Sequence, residues 1–192
     1  MKATSTYDGT IERILFTEAD IAAAIARLAG QIAEDHRGQP VTLLGVLKGA
    51  LYVISDLARA LSTIADGPSE IIVDYLCVSS YGNSTRSSGE VRMLKDASVP
   101  ITGRNVVIVE DIVDNGLTLQ DLRALLEERR PASLRACVLF DKPYHRRVET
   151  PVDYVGLQSP DEFVVGYGLD YQELFRNLPY LAQLRPAVFK EG

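Results

Sequence analysis

Apolar residues at helical spacing mark a first helix near the start of the chain. The positions that share its predicted apolar face are Ile21, Ile25, Leu28 and Ile32. Thr17 and, three residues later, Asp20 form a capping-box pattern that indicates where this helix begins. Gly38 ends the pattern. We therefore predict an amphipathic helix over residues 17–37 whose apolar face packs against the protein core.

Short apolar runs predict strands, and two further stretches of leucine-rich helical spacing predict helices. An uninterrupted apolar run is typical of a strand buried on both faces of a parallel sheet. The predicted strands cover residues 41–47, 70–79, 91–95, 106–109, 134–140, 152–157 and 163–165. The second helix is marked by Leu51, Ile54, Leu57 and Leu61. The third helix, which stops before Pro131, is marked by Leu119, Leu122, Leu125 and Leu126.

The strand at residues 106–109 leads into the stretch with the densest chemistry. Its following carboxylates are Glu110, Asp111 and Asp114. Asn115-Gly116 is a turn signal, and a helix can begin near Thr118. Ligands of open α/β sheets bind beyond the carboxyl ends of strands, and amides at a helix start can cradle a phosphate. The acids could accept hydrogen bonds from two sugar hydroxyls; the alternative is a solvated acidic turn.

Lysines and a basic cluster follow two other predicted strands. Lys48-Gly49 follows the strand at residues 41–47, where a solvated lysine is one interpretation. Lys142 follows the strand at residues 134–140, and its place at a strand end favours a functional role. For the neighbouring basic residues we favour a solvated loop; they are His145, Arg146 and Arg147.

A polar segment separates the predicted strands at residues 70–79 and 91–95. Residues 80–89 contain one aromatic and no aliphatic residue, so they cannot bury apolar surface and are expected to be mobile. A plain hairpin connection would explain this composition.

Composition and charge exclude several classes of protein. At 192 residues with 46% apolar content, the chain is expected to form a single domain. The net charge of −6 argues against a nucleic-acid-binding surface, and no apolar run approaches a membrane span of about 20 residues. Cys77 and Cys137 lie in apolar runs, which predicts two buried free thiols in a reducing compartment. Together these features predict a cytoplasmic protein.

The stretch at residues 106–119 resembles the phosphoribosyl-diphosphate-binding motif of type I phosphoribosyltransferases, in the variant of the 6-oxopurine branch. Lys48-Gly49, the polar loop and residues 161–171 are similar to three further motifs of that family, in the same order. The resemblance covers roughly residues 10–180. It implies an α/β fold with a central, mainly parallel sheet flanked by helices, a flexible loop at about residues 80–90, and a small hood built from residues 1–15 and 150–192.

The resemblance also implies a role for individual residues. Asp114 would be the catalytic base, and Ser80 and Tyr81 would belong to the closing loop. The phosphoribosyl-diphosphate ligands would be Lys48, Gly49, Glu110, Asp111, Asp114, Asn115, Gly116, Leu117, Thr118 and Arg176. The purine ligands would be Lys142, Phe163 and Val164. Mg²⁺ would be held by Glu110, Asp111 and Asp170.

The implied reaction joins hypoxanthine or guanine to 5-phosphoribosyl 1-diphosphate and releases IMP or GMP with diphosphate. A homodimer or homotetramer is the implied assembly. One alternative is a regulator that senses the sugar diphosphate without turnover; such proteins usually carry a basic surface, which this acidic chain lacks. A second alternative is a receiver domain, but its acidic pair would lie near residue 10 and not near residue 110. A third alternative, a related transferase that acts on xanthine, remains open.

Overall fold

The computed structural model describes residue 7, residues 9–80 and residues 91–189, without the side chains of residues 79, 80 and 91. Its strands are β1 (Ile11–Phe16), β2 (Pro40–Leu47), β3 (Glu70–Ser80), β4 (Val91–Lys95), β5 (Asn105–Val113), β6 (Ser133–Asp141), β7 (Tyr154–Gln158), β8 (Val164–Val165) and β9 (Leu181–Leu184). Its α-helices are α1 (Glu18–Asp35), α2 (Leu51–Ser62), α3 (Leu117–Glu127) and the short α4 (Pro186–Phe189). The predicted elements occur in the predicted order, and the structure adds β1, β9 and α4, which the apolar spacing did not indicate.

Six strands form the central sheet in the order β4-β3-β2-β5-β6-β7. Every neighbouring pair is parallel except β3 and β4, which pair antiparallel on either side of the polar segment. The predicted mainly parallel sheet is confirmed. A second, antiparallel sheet has the order β1-β9-β8 and forms the hood. The hood begins later than predicted, because β7, within the predicted range 150–192, pairs with β6 in the central sheet.

The alternation of side chains along β5 divides the core into two layers. Val107 and Val109 pack with α1 and α2 on one face of the sheet, and Val106 and Ile108 pack with α3 on the other. The strand is longer than predicted, because hydrogen-bonded pairing with β6 continues to Val113. Glu110 and Asp111 therefore lie within the strand rather than in a following loop.

Helix α1 begins as the sequence predicts. The Thr17 hydroxyl accepts from the Asp20 backbone N–H at 3.2 Å, and the Asp20 carboxylate accepts from the Thr17 N–H at 2.8 Å. This reciprocal capping satisfies two N–H groups that a helix start would otherwise leave unpaired. The helix ends at Asp35, two residues before the predicted boundary.

Both cysteines are free, but they differ in burial. Cys137 is fully buried, and burial raises the pKa of its thiol to about 12. Cys77 is only half-buried, because it lies near the end of β3 towards the sheet edge, so the prediction of two buried thiols is wrong for this residue.

Of the described helices, none combines the length and the apolar character needed to cross a bilayer.

Asp74 fixes the connection that follows the β3–β4 pair. Its carboxylate accepts from the Ser98 N–H at 2.6 Å and from the Val99 N–H at 2.9 Å, and it is only 8% exposed. Burial alone would raise the pKa of Asp74, but backbone N–H donors and the Lys95 ammonium hold it below its ordinary value. Asp74 thus anchors the residues that follow β4 to strand β3.

Replacing Asp74 should therefore destabilise the protein. Asp74→Ala leaves the N–H groups of Ser98 and Val99 without their acceptor, and we expect a loss of about 2–3 kcal/mol in the free energy of unfolding. Asp66→Ala, at an exposed aspartate, should change stability by less than about 0.5 kcal/mol. Urea unfolding of both variants measures the difference. Equal stability of the two variants would contradict the anchoring role.

Candidate functional site

The candidate site lies at one edge of the central sheet. Because β2, β5 and β6 are adjacent and parallel, their carboxyl ends meet at the same edge. This arrangement brings Lys48, the Asp111–Thr118 stretch and Lys142 together, although they are far apart in the sequence. Crevices of this kind are where α/β proteins bind ligands.

A small cavity of about 160 Å³ opens at the start of α3. It is lined by Glu110, Ile112, Val113, Asp114, Asn115, Gly116, Thr118 and Leu119. Within the described part of the chain, the backbone N–H groups of Asn115, Gly116 and Thr118 donate to no protein acceptor. Unpaired N–H groups at a helix N-terminus favour an anion. Asp114 is exposed at this cavity and makes no ion pair with any described residue.

Leu117 was predicted to bind the sugar diphosphate, but the Asn115 side chain already accepts its backbone N–H. The Asn115 carboxamide oxygen accepts the Leu117 N–H at 2.9 Å, so that amide is already used within the protein. Gly116 has a φ of +85°, a backbone conformation in which a side chain is unfavourable. The turn therefore presents its remaining amides outward at the beginning of α3.

Arg146 covers the far side of this turn. A Cβ on Gly116 would lie 3.1 Å from the Arg146 Cδ and 3.2 Å from the Val148 carbonyl oxygen. Arg146 forms an ion pair with Asp141, and its side chain is 20% exposed. The prediction of a solvated basic loop is therefore wrong for Arg146. Sequence reasoning missed it because its partner lies in β6 and its packing surface lies in the turn before α3.

Glu110 and Asp111 point to opposite faces of β5, as neighbouring residues in a strand do. Glu110 lines the cavity beside α3, whereas the Asp111 carboxylate lies against Gly49 before α2. Burial, and then the Asp111 charge, raises the pKa of Glu110 well above its ordinary value. Burial likewise raises the pKa of Asp111 to about 6, with Arg176 opposing this shift and Asp170 adding to it. Both carboxyl groups are therefore harder to ionise in the folded protein than in water.

The turn 166–176 of the hood docks on the loop after β2. A Cβ on Gly168 would lie 1.9 Å from the Gly49 carbonyl oxygen, so the two backbones touch. Arg176 donates to the Gly168 carbonyl at 2.7 Å and pairs with Asp170 at 2.7 Å, while its buried Nε–H has no partner among the described residues. Lys48 pairs with Glu173 at 3.0 Å, and the Leu47–Lys48 peptide bond is cis. The junction between the hood and the loop after β2 therefore brings the Lys48 and Arg176 side chains close to the backbone of Gly49 and Gly168.

The donor set suits a magnesium ion only in part. Asp111 and Asp170 are near enough that the Asp170 charge raises the pKa of Asp111. Glu110 is directed to the other face, and among the described residues no cluster of three acidic or other ligating side chains could hold a metal. Mg²⁺ commonly takes one or two carboxylates and completes its shell with water and substrate phosphates. Asp111 and Asp170 fit that pattern, whereas the predicted ligand set with Glu110 is not assembled.

Lys142 and the hood form the other end of the site. The Lys142 side chain is 13% exposed, and its ammonium donates to the Glu162 carbonyl at 3.2 Å and lies 3.4 Å from the Asp161 carboxylate. Phe163 is 40% exposed; its ring stacks on Phe189 at 4.7 Å, with the edge of Tyr171 at 5.7 Å.

Val164 lies in β8 opposite Gln183, next to the exposed Phe163 ring. Lys142, Phe163 and Val164 are thereby brought to the same hood-facing end of the sheet. The predicted loop pair is only partly described: Ser80 is the last residue of β3 and pairs with Val91, and Tyr81 lies outside the described residues.

A family model described as the phosphoribosyl transferase domain matches residues 14–172. The chain belongs to the phosphoribosyltransferase family. A hypoxanthine-guanine phosphoribosyltransferase of Mycobacterium avium is 46% identical over 191 residues, covering 96% of this chain and 91% of that protein. One of Bacillus subtilis is 42% identical over 180 residues, covering 94% and 97%. The crystal structure of a Staphylococcus aureus hypoxanthine phosphoribosyltransferase superposes with a TM-score of 0.90 at 40% identity, covering 98% and 99%.

The raised pKa of Asp111 predicts that ionisation of this carboxyl lowers the stability of the phosphoribosyltransferase as the pH rises. An aspartate of ordinary pKa 3.8 that titrates near 6 when folded lowers stability as pH rises through that window. Asp111→Asn should therefore raise the free energy of unfolding by about 1–3 kcal/mol at pH 7.5 and by less than about 1 kcal/mol at pH 4.

Urea unfolding at the two pH values in EDTA measures this difference. Asp66→Asn is the control, because Asp66 is exposed and its replacement should have little effect at either pH. A gain of the same size at pH 4 and pH 7.5 would show that the ionised carboxylate is not the cause.

Proposed function

We propose that this phosphoribosyltransferase joins hypoxanthine or guanine to 5-phosphoribosyl 1-diphosphate, forming IMP or GMP and diphosphate. The carrying observation is the turn before α3, where unpaired amides and the exposed Asp114 carboxylate share one cavity. Relatives that are 42–46% identical over more than nine-tenths of this chain are hypoxanthine-guanine phosphoribosyltransferases, which supports the same substrates here.

The 5′-phosphate of the sugar would bind in the cavity at the start of α3. The N–H groups of Asn115, Gly116 and Thr118 would donate to its oxygens, and the Thr118 hydroxyl would add a further donor. Glu110, which lines this cavity, would accept from a ribose hydroxyl. These contacts would fix the anomeric carbon relative to the rest of the site.

The diphosphate would leave towards the junction between Gly49 and the hood. Arg176, whose buried Nε–H has no partner among the described residues, would donate to the departing oxygens as the bond to the anomeric carbon breaks. Lys48 would add a second positive charge. Asp111 and Asp170 would hold Mg²⁺, which when bound neutralises charge on the diphosphate. The raised pKa of Asp111 supports this assignment, because a buried carboxylate lacking full compensation favours a cation.

Asp114 would act on the purine rather than on the sugar. It is exposed and forms no ion pair with a described residue, so its carboxylate is available to accept the proton from the purine ring nitrogen. As the nitrogen forms its bond to the anomeric carbon, the proton passes to Asp114 and the electron pair of the breaking C–O bond leaves with the diphosphate. Phe163, 40% exposed, would stack on the purine.

Lys142 would select the 6-oxo group. Its ammonium has three donor hydrogens and no acceptor, so it pairs with a carbonyl oxygen and not with the amino group of adenine. Without a purine it is directed to the Glu162 carbonyl and to Asp161. Purine binding would replace or share those contacts, while Val164 would offer backbone groups to the far edge of the base.

Incubation with magnesium, 5-phosphoribosyl 1-diphosphate and each purine in turn tests the proposal. We expect nucleotide from hypoxanthine and guanine and little from adenine. Asp114→Asn should lower kcat by about 10²–10⁴-fold while leaving the fold intact, because its amide cannot take the proton. No nucleotide from any 6-oxopurine would favour the sensing regulator, and product from xanthine alone would favour the sister transferase. Near-normal turnover of Asp114→Asn would remove it as the base.

Lys142→Ala should weaken selection between purines. Loss of the ammonium leaves the purine oxygen without its donor, so kcat/KM for hypoxanthine should fall by about 10–100-fold relative to any residual rate with adenine. Competition assays with both bases measure this ratio. Lys95→Ala, at an exposed lysine of the central sheet, is the matched control and should leave the ratio unchanged. A small, equal effect on both purines would mean that Lys142 acts only as surface charge.

The implied homodimer or homotetramer stays a prediction that light scattering would test.

A further inference from the structure

The turn 166–176 of the hood, which carries Asp170 and Arg176, has several non-glycine residues with positive φ. Tyr167 has a φ of +49°, and Gln172, Glu173 and Phe175 are also in the left-handed region. Residues with a Cβ disfavour this region. Such a turn needs contacts from elsewhere in the protein to hold it in one conformation.

The Tyr167 side chain supplies such a contact. Its hydroxyl donates to the Asp56 carboxylate of α2. Tyr167 is 8% exposed, and its ring centroid lies 6.0 Å from that of Tyr52. Burial, and then the bond to Asp56, raises the pKa of Tyr167, so the hydroxyl stays a proton donor.

This contact connects the two segments that face the proposed diphosphate position. Asp56 lies on the helix that begins directly after Lys48-Gly49, and Gly168, the next residue after Tyr167, touches the Gly49 carbonyl. The backbone of Gly168 is in turn bonded to Arg176 in both directions, at 2.9 and 2.7 Å. Movement of Tyr167 would therefore shift the Arg176 guanidinium relative to Lys48 and Gly49.

We propose that Tyr167, through its hydrogen bond to Asp56, is a positioning residue that sets the Asp170–Arg176 turn against the Lys48-Gly49 loop for the sugar diphosphate. This inference rests on the proposed function. The bond acts on the diphosphate half of the site, whereas Lys142 and Phe163 contact other parts of the protein. Its loss should therefore affect the two substrates unequally.

Tyr167→Phe removes the hydroxyl and keeps the ring. We expect the KM for 5-phosphoribosyl 1-diphosphate to rise about tenfold, because a misplaced cationic clamp binds the diphosphate less well, and the KM for hypoxanthine to change by less than about twofold. Tyr52→Phe is the matched control: its ring lies in the same contact, and its hydroxyl makes no hydrogen bond to a described residue. It should leave both KM values unchanged.

A reciprocal pair of variants tests the acceptor. Asp56→Ala should raise the KM for the sugar diphosphate as Tyr167→Phe does, and Asp56→Asn should restore part of the affinity because its amide oxygen can still accept. Combining Tyr167→Phe with Asp56→Ala should add little to either single effect, since both remove the same bond. Arg59→Ala, which removes the exposed ion pair of Asp56 at 3.0 Å, should have little effect.

Hydrogen exchange supplies a readout that does not depend on turnover. In Tyr167→Phe the amides of Tyr167 and Gly168, which donate to Leu178 and Arg176, should exchange faster, while those of β5 should not. The inference is overturned if Tyr167→Phe matches Tyr52→Phe, or if both KM values rise equally with a lowered Tm, as a general loss of structure would produce. Wild-type protein that forms no nucleotide would instead refute the proposed function, and exchange together with inorganic diphosphate binding would still decide the role of Tyr167.

Discussion

The site depends on the rule that adjacent parallel strands end at the same edge of a sheet. β2, β5 and β6 come from separate parts of the chain, yet their carboxyl ends lie side by side. The first ends at Lys48-Gly49, the second leads to Asp114 and the amides before α3, and the third leads to Lys142. Each contributes one kind of chemistry, and only the sheet brings the three together. The apolar layers on both faces of β5 hold that edge in place.

The two carboxyl groups at the end of β5 are buried and are harder to ionise in the folded protein than in water. Glu110 is 7% exposed, and the pKa values of both Glu110 and Asp111 are raised by burial. A carboxylate that is costly to ionise in the folded protein gains when a hydroxyl donor or a cation binds it. Because the two side chains lie on opposite faces of the strand, Glu110 faces the cavity beside α3 and Asp111 faces Gly49.

The hood is joined to this edge by backbone contacts that only glycine allows. Gly168 and Gly49 approach so closely that a side chain on Gly168 would overlap the Gly49 carbonyl. The Tyr167 hydroxyl and the Arg176 side chain add directional hydrogen bonds, which define the orientation of the turn.

The sequence by itself determined the order of the elements from α1 to β8, the parallel sheet, the capping of α1 and the motif at the end of β5. These features are local, because they follow from the spacing of apolar residues and from turn chemistry within a few positions. Tertiary structure alone decided that pairing with β6 extends β5 through Glu110 and Asp111, that Arg146 packs against the Gly116 turn, and that β7 joins the central sheet. The packing of Tyr167 on α2 belongs to the same group. Such features depend on which distant residues become neighbours, and burial and pairing energies over the whole fold set that choice, which no local pattern encodes.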